Sequence, residues 1–350
     1  MANKMNNHND YDHKVKVLEQ FQVGPPPEGD TLPFIVAEST TTNLNNLVSD
    51  TPRDVTCLHP FVPILPSPHA LEDGTLLIPP MAIQVTIFPN YGFTICINFY
   101  HVIADGTLWN SPRKSTLTIV RDVPSDMVRR SFVLRNDHVE NLKKLVSANC
   151  QSHGLVGTLH VSTFVVTCSL IWVCKVKSEV MNTHPNDDED LYFYFWVDCR
   201  YLAKLKIPLT YFGNCLINAN TAIKRNKLVG QNGIFEAAVA IGNKIREMQS
   251  EPYKNVDTLM SCFSKFGSME QHAVAIAGSP KFDAYETDFG WGKPMLSEVL
   301  QADSRLVTLS DCREKEGGIQ VGVALGRTQM HKFNSILEHL LADIAIKEGE

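Results

Sequence analysis

The sequence predicts a mixed α/β (α+β) protein built from two sheet-based halves. Three observations lead there. Short β-rich runs and period-two alternation recur along the whole chain. Helical patterns fall between them irregularly, which fits neither a βαβ repeat nor an all-β protein. The 350 residues, at roughly 150 per domain, make about two domains with ample core for folding without disulfides or metals.

The elements follow in order. Residues 1–13 read as a disordered tail. KVKVLEQFQV (14–23) alternates apolar and polar, as a half-buried strand does. GPPPEGD (24–30) is a turn or linker. FIVAE (34–38) is a second strand, and TTTNLNNLVSD after it a short helix or loop. IQVTIF (83–88) and FTICINFY (93–100) form a hairpin, joined by the turn chemistry of Pro89-Asn90-Tyr91-Gly92. The second run is almost wholly apolar, which predicts a buried central strand, and it ends on His101. RSFVLR (130–135) is a strand. Asp137 is expected to cap a helix with Val139, Leu142, Leu145 and Val146 on one face. STFVVTCSLIWVCKV (162–176) is apolar on nearly every side, which predicts a fully buried helix capped by Ser162 or Thr163. DDED (187–190) is a surface loop and LYFYFWV (191–197) a buried strand. An amphipathic helix over 232–249, strands at HAVAIA, RLVTL and GIQVGVAL, and a terminal amphipathic helix over 328–347 complete the chain.

Composition excludes several function classes. The hydrophobic share of 44% and charged share of 20% are globular values, not those of a disordered chain, a collagen or a disulfide scaffold. The longest apolar runs stop short of the roughly 20 residues that span a bilayer, so no membrane partner is expected. The net charge of −6, with 32 basic and 38 acidic residues, opposes general nucleic-acid binding, which draws on basic side chains. The nine cysteines show no CxxC spacing. Most lie in apolar segments, where cysteine behaves as a small hydrophobe. Together with a polar start that lacks an apolar signal core, this predicts reduced thiols and a cytoplasmic location.

The chemistry concentrates in three segments. No GxGxxG, Walker loop, HExxH, GxSxG or metal-spaced cluster occurs, so no metal and no resident cofactor is expected. Asp288-Phe289-Gly290 spells the kinase DFG, but no HRD or glycine-rich loop precedes it. His101 and Asp105 stand four apart. That spacing alone is weak, since His8/Asp12, His69/Asp73, His184/Asp188 and His339/Asp343 share it. Only His101 follows an apolar strand and precedes an Asp-Gly turn, a setting that can fix an imidazole's tautomer and pKa. The alternative is a buried histidine bonded to its neighbours. Tyr285-Glu286-Thr287-Asp288-Phe289-Gly290-Trp291-Gly292-Lys293-Pro294 sets two glycines around a tryptophan, allowing tight turns. Taken alone it is an ordinary loop. Trp196-Val197-Asp198-Cys199-Arg200 ends a buried strand on two charges that are costly unless paired. A structural ion pair is the plain reading there.

In this order the segments resemble the BAHD acyltransferases of plants, which carry HxxxD mid-chain and DFGWG near the C-terminus. The finer resemblance is to the branch that malonylates anthocyanin and other phenolic glucosides. RDVTCLHPFVP, STFVVTCSLIWVC, VDCR, TYFGNC, AGSPKFDAYETDFGWGKP and GGIQVGVAL carry it. The resemblance implies two chloramphenicol-acetyltransferase-like domains, placed at 1–155 with HxxxD and 156–350 with DFGWG, and a channel between them. It implies His101 as the general base that deprotonates a sugar hydroxyl for attack on an acyl-CoA thioester. Asp105 holds the site's shape by pairing with Arg200. Asp288 is sometimes counted as a second catalytic residue, though a structural role fits it better. Phe289, Gly290, Trp291 and Gly292 shape the acyl-CoA channel, and Arg200 and Lys293 are the cations available to a malonyl carboxylate. Acyl-CoA, with malonyl-CoA foremost, is then a co-substrate, the partners are small molecules, and the chain is monomeric.

The sequence also departs from that pattern. An LPLTFFD-like segment, its helix and a PLAGRL-like strand are missing near the start, and a helix is missing after HxxxD. Leu202 replaces the usual second arginine, and Tyr100 stands where a second histidine is common. The first domain is therefore expected to be incomplete. The competing expectation is a truncated, catalytically weak paralogue acting as a binding protein, or the same chemistry with another acyl-CoA donor.

Overall fold

Alternating and continuous apolar runs become strands in the computed structural model of the chain. It describes residues 15–23, 32–70, 72–74, 76–77, 81–99, 125–155, 157, 159–179, 188–202, 206–208, 211, 215–251, 273–314 and 317–347. The contacts divide the chain into two units, a smaller one containing residues 53–120 and a larger one containing residues 215–350.

In the smaller unit, β1 (Lys16–Val23), β2 (Leu32–Glu38), the helical turn α1 (Leu44–Leu47) and the short strands β3 (Arg53–Asp54), β4 (His69–Ala70) and β5 (Leu76–Leu77) precede a hairpin of β6 (Met81–Phe88) and β7 (Gly92–Phe99). The sheet order is β1-β2-β6-β7. The hairpin register pairs Ile83 with Ile97, Val85 with Ile95 and Ile87 with Phe93, so six apolar side chains share one face. Ala82, Gln84, Thr86 and Phe88 point to the other, buried face. There Phe88 packs with Phe61 and Leu47.

The apolar run of β7 predicts a buried central strand, and the structure corrects that. Among the described strands β7 ends the order, and Ile95 and Ile97 are 38% and 53% exposed. Apolarity marks a surface that favours cover. It does not supply the cover.

The larger unit carries β8 (Met127–Leu134), α2 (Asn136–Ser152), α3 (Thr163–Ser178), β9 (Asp190–Asp198), β10 (Leu216–Lys224), α4 (Arg225–Val229), α5 (Gly233–Ser250), β11 (Val274–Ala277), β12 (Leu306–Ser310), β13 (Ile319–Gly326) and α6 (Arg327–Lys347). Its strands run β10-β9-β11-β12-β13-β8. β9, β11 and β12 are mutually parallel, while β10, β13 and β8 pair antiparallel. Residues 125–155 join this unit because β8 pairs along its whole length with β13.

α3 is the centre of the core, as its all-round apolarity predicts. Ser162 caps it by accepting from the Val165 amide. Trp172 is fully buried, with its ring 5.1 Å from that of Phe193 on β9. α2, α5 and α6 pack around α3 and share one apolar core with the sheet. Asp137 does not cap α2. The cap position is Arg135, with no side-chain cap bond, and Asp137 sits in the first turn, where a carboxylate favours the helix dipole. No described helix is long and apolar enough to cross a membrane.

Candidate functional site

The strand that leads to His101 is firmly placed. Asn98 near its end donates to the Pro63 carbonyl at 2.9 Å, and Gln84 beside it donates to the Pro60 carbonyl at 2.9 Å. His101 and Asp105 themselves lie outside the described residues.

Arg200 follows β9 on a short 3-10 turn. Its Nη1 meets Asp198 Oδ1 at 3.0 Å, its Nε donates to the Tyr211 carbonyl at 3.0 Å, and the guanidinium lies over the Tyr211 ring. The charges that end this strand thus form an ion pair, as their cost of burial requires.

The DFGWG segment is a loop shaped by its own first residue. Asp288 Oδ1 accepts from the Gly290 amide at 2.7 Å and the Gly292 amide at 3.0 Å. Both glycines adopt φ near +95°, a conformation that a side chain disfavours. Asp288 therefore closes the turn in this geometry. Phe289 and Trp291 project from it, 64% and 72% exposed, with ring centroids 6.5 Å apart. Lys293 bonds Glu286 at 2.8 and 3.0 Å, so the loop's cation is already matched by a carboxylate.

Beneath the loop lies a polar sheet face that sequence reasoning missed. Asp311 takes the Ala284 and Tyr285 amides, each at 3.1 Å. The Tyr285 hydroxyl donates to Gln320 Oε1 at 2.6 Å and accepts from the Ser297 amide at 3.1 Å. Gln320 returns a bond to the Ser297 carbonyl at 2.7 Å. Burial raises the Tyr285 phenol's pKa, so it remains a neutral donor. Next to this knot, Arg129 is 1% exposed and lies 3.6 Å from Glu298. It passes over Gly322, where a Cβ would fall 2.7 Å from Nη2 and 2.3 Å from Thr308 Oγ1. These partners lie 26 to 35 residues apart for Tyr285, and no local pattern reports such a pairing.

Burial pushes the Cys199 thiol up to about 12 and Cys96 to about 11. Among the described residues no group of three or more His, Cys, Asp or Glu could hold a metal. A cavity of about 580 Å³ opens in the smaller unit beside Thr41, Asn46, Arg53 and Cys57, and none of the sequence-predicted site residues that are described lines it.

Residues 113–340 match the Transferase family. The chain belongs to the BAHD acyltransferases. It is 32% identical over 361 residues to coumaroyl-CoA:anthocyanidin 3-O-glucoside-6''-O-coumaroyltransferase 2 of Arabidopsis thaliana, covering 88% of this chain and 77% of that protein. It is 31% identical over 356 residues to the malonyl-coenzyme A:anthocyanin 3-O-glucoside-6''-O-malonyltransferase of Dahlia pinnata, covering 88% and 76%. Among solved structures, vinorine synthase superposes with a TM-score of 0.62 at 16% identity, covering 86% of this chain and 75% of that one. The mixed α/β fold and the assignment as an acyltransferase stand on these matches.

Proposed function

We propose that the protein transfers an acyl group from acyl-CoA to a sugar hydroxyl of an anthocyanin or other phenolic glucoside. The observation that carries the reading is the DFGWG loop, closed on Asp288 and seated on a buried polar sheet face, in a chain that also places HxxxD directly after β7. His101 takes the hydroxyl proton, and the oxygen attacks the thioester carbon. The tetrahedral intermediate then collapses, its C–S bond breaks and CoA leaves with the proton. A placed base of this kind contributes about 10²–10⁴-fold. Trp291 offers its indole N–H to the developing oxyanion, a contact worth a few kcal/mol where it forms. Asp105 holds the shape of the site, with Arg200 as its chosen partner. The reaction uses no metal or resident cofactor, and the enzyme works as a cytoplasmic monomer on small molecules.

Malonyl is the leading donor, held by Arg200 or Lys293. One observation favours a second reading. Both cations already hold a carboxylate, Asp198 and Glu286, so a malonyl carboxylate must compete with them. An aromatic acyl group needs no cation and would instead meet Phe289 and Trp291.

The test is incubation of the purified chain with malonyl-CoA or coumaroyl-CoA and a panel of anthocyanin and flavonoid glucosides. Acylated glucoside is expected, reduced about 10²–10⁴-fold in His101→Ala. A well-folded preparation that acylates none of them favours the truncated, binding-only paralogue. Product undiminished in His101→Ala refutes the mechanism.

A further inference from the structure

We propose that the Tyr285 hydroxyl closes the neck of the DFGWG loop, and that Tyr285 is thereby a positioning residue that fixes where Phe289 and Trp291 meet acyl-CoA. The inference rests on the acyltransferase reading above. Two levels of control are visible. Asp288 sets the local shape of the turn through the Gly290 and Gly292 amides. The location of the whole loop is set at its base.

β11 ends at Ala277 and β12 begins at Leu306; between them Tyr285, on a 3-10 turn, and Ser297 meet through one hydrogen bond, Ser297 amide to Tyr285 hydroxyl, at 3.1 Å. Gln320 on β13 holds both ends, accepting from the phenol and donating to the Ser297 carbonyl. On the outgoing side Asp311 fixes the Ala284 and Tyr285 amides. On the returning side Glu298 lies against Arg129. The neck is buried, with Tyr285 at 3% and Gln320 at 6% exposure, while the aromatics it carries are exposed. A closed, buried neck under an exposed tip prepays the entropy of placing that tip. Placement matters because an error of about 1 Å in a binding wall can cost ~10²-fold.

Tyr285→Phe isolates the effect. It keeps the buried ring and removes only the hydroxyl. Hydrogen exchange of amides 286–296 should quicken while β12 and β13 keep their protection. Titration of CoA itself onto the full chain should show affinity weakened about tenfold. In the active enzyme, KM for acyl-CoA should rise by a similar factor, and kcat should fall with it, because the same loop carries the oxyanion donor Trp291. Gln320→Leu removes the other half of the neck and should reproduce all three changes. Unchanged protection of 286–296 in a folded Tyr285→Phe overturns the proposal. So does lost protection with unchanged CoA affinity, because the loop's position would then not matter to the ligand. A wild type that binds CoA but transfers no acyl group refutes the proposed function and leaves this inference decided by the exchange and CoA titrations. A wild type that does not bind CoA overturns both.

Discussion

In the larger unit, α2, α3, α5 and α6 share a single apolar core with the sheet, and on the opposite face polar side chains anchor the loop of residues 284–298. In the smaller unit, the face carrying Ile87, Phe93, Ile95 and Ile97 keeps each of these side chains more than a third exposed. Both sheets are made of the same kind of strand, β-branched and aromatic. The difference lies in what packs on them. A strand's sequence states that a face favours burial, and the rest of the chain decides whether it is buried.

The largest effect should come from the covered side. Trp172→Ala removes a fully buried ring at the centre of α3 and should cost about 3–5 kcal/mol. That is a large share of the roughly 5–15 kcal/mol that holds a typical domain. Urea or thermal melting reads it directly. An unmoved transition would break the comparison, because α3 would then not be the keystone of the larger unit.

Next in size is the anchor beneath the candidate site. Asp311→Ala strips the acceptor from two backbone amides, and leaving buried donors unpaired should cost about 1–3 kcal/mol. Limited proteolysis should then cut within 284–298 before it cuts elsewhere. Cleavage that stays uniform would show that the polar face does not hold the segment.

Smaller still is a titration built into the helical face. Lys175 is buried on α3, with its ammonium 3.4 Å from the Ala273 carbonyl. Burial lowers its pKa, while the charges of Glu179 and Asp303 oppose that shift. The unfolded chain therefore holds this proton more tightly than the folded one, and stability rises with pH through the window below the ordinary lysine value. Lys175→Met removes the buried charge and should stabilise by about 1 kcal/mol at neutral pH. The gap between variant and wild type should shrink as pH rises toward 10.5. A gap that widens with pH would reverse the assigned sign.

The sequence was legible wherever a decisive pattern was local. All-round apolarity marked α3, the Pro-Asn-Tyr-Gly turn marked the hairpin, and the two charges at Asp198 and Arg200 marked an ion pair two residues apart. It was illegible wherever the partner was remote. Tyr285 finds Gln320 and Asp311 only because β12 and β13 run beneath its loop, and Arg129 finds Gly322 only through the register of β8 on β13. Asp137 failed as a cap because helix ends depend on the backbone angles of the entering chain, which placed Arg135 there instead. The candidate base His101 follows β7 in sequence and lies outside the described residues.

The smallest stability effect should come from the uncovered side, and it tests the comparison most sharply. Ile97→Thr keeps the β-branched shape that suits a strand and replaces a methyl-rich surface with a hydroxyl that water can reach. Ile97 is 53% exposed, so little transfer energy is lost, and the change should stay within about 0.5 kcal/mol, as surface substitutions do. Its neighbours Ile95 and Ile87 are exposed on the same face, and a contiguous apolar patch binds dyes and promotes association. The double variant Ile95→Thr/Ile97→Thr should therefore reduce ANS fluorescence and concentration-dependent light scattering while leaving the melting curve almost unmoved. A loss above about 1.5 kcal/mol, of the size seen when core side chains are cut back, would mean that this face is covered in solution. The two sheets would then differ in what covers them and not in whether they are covered.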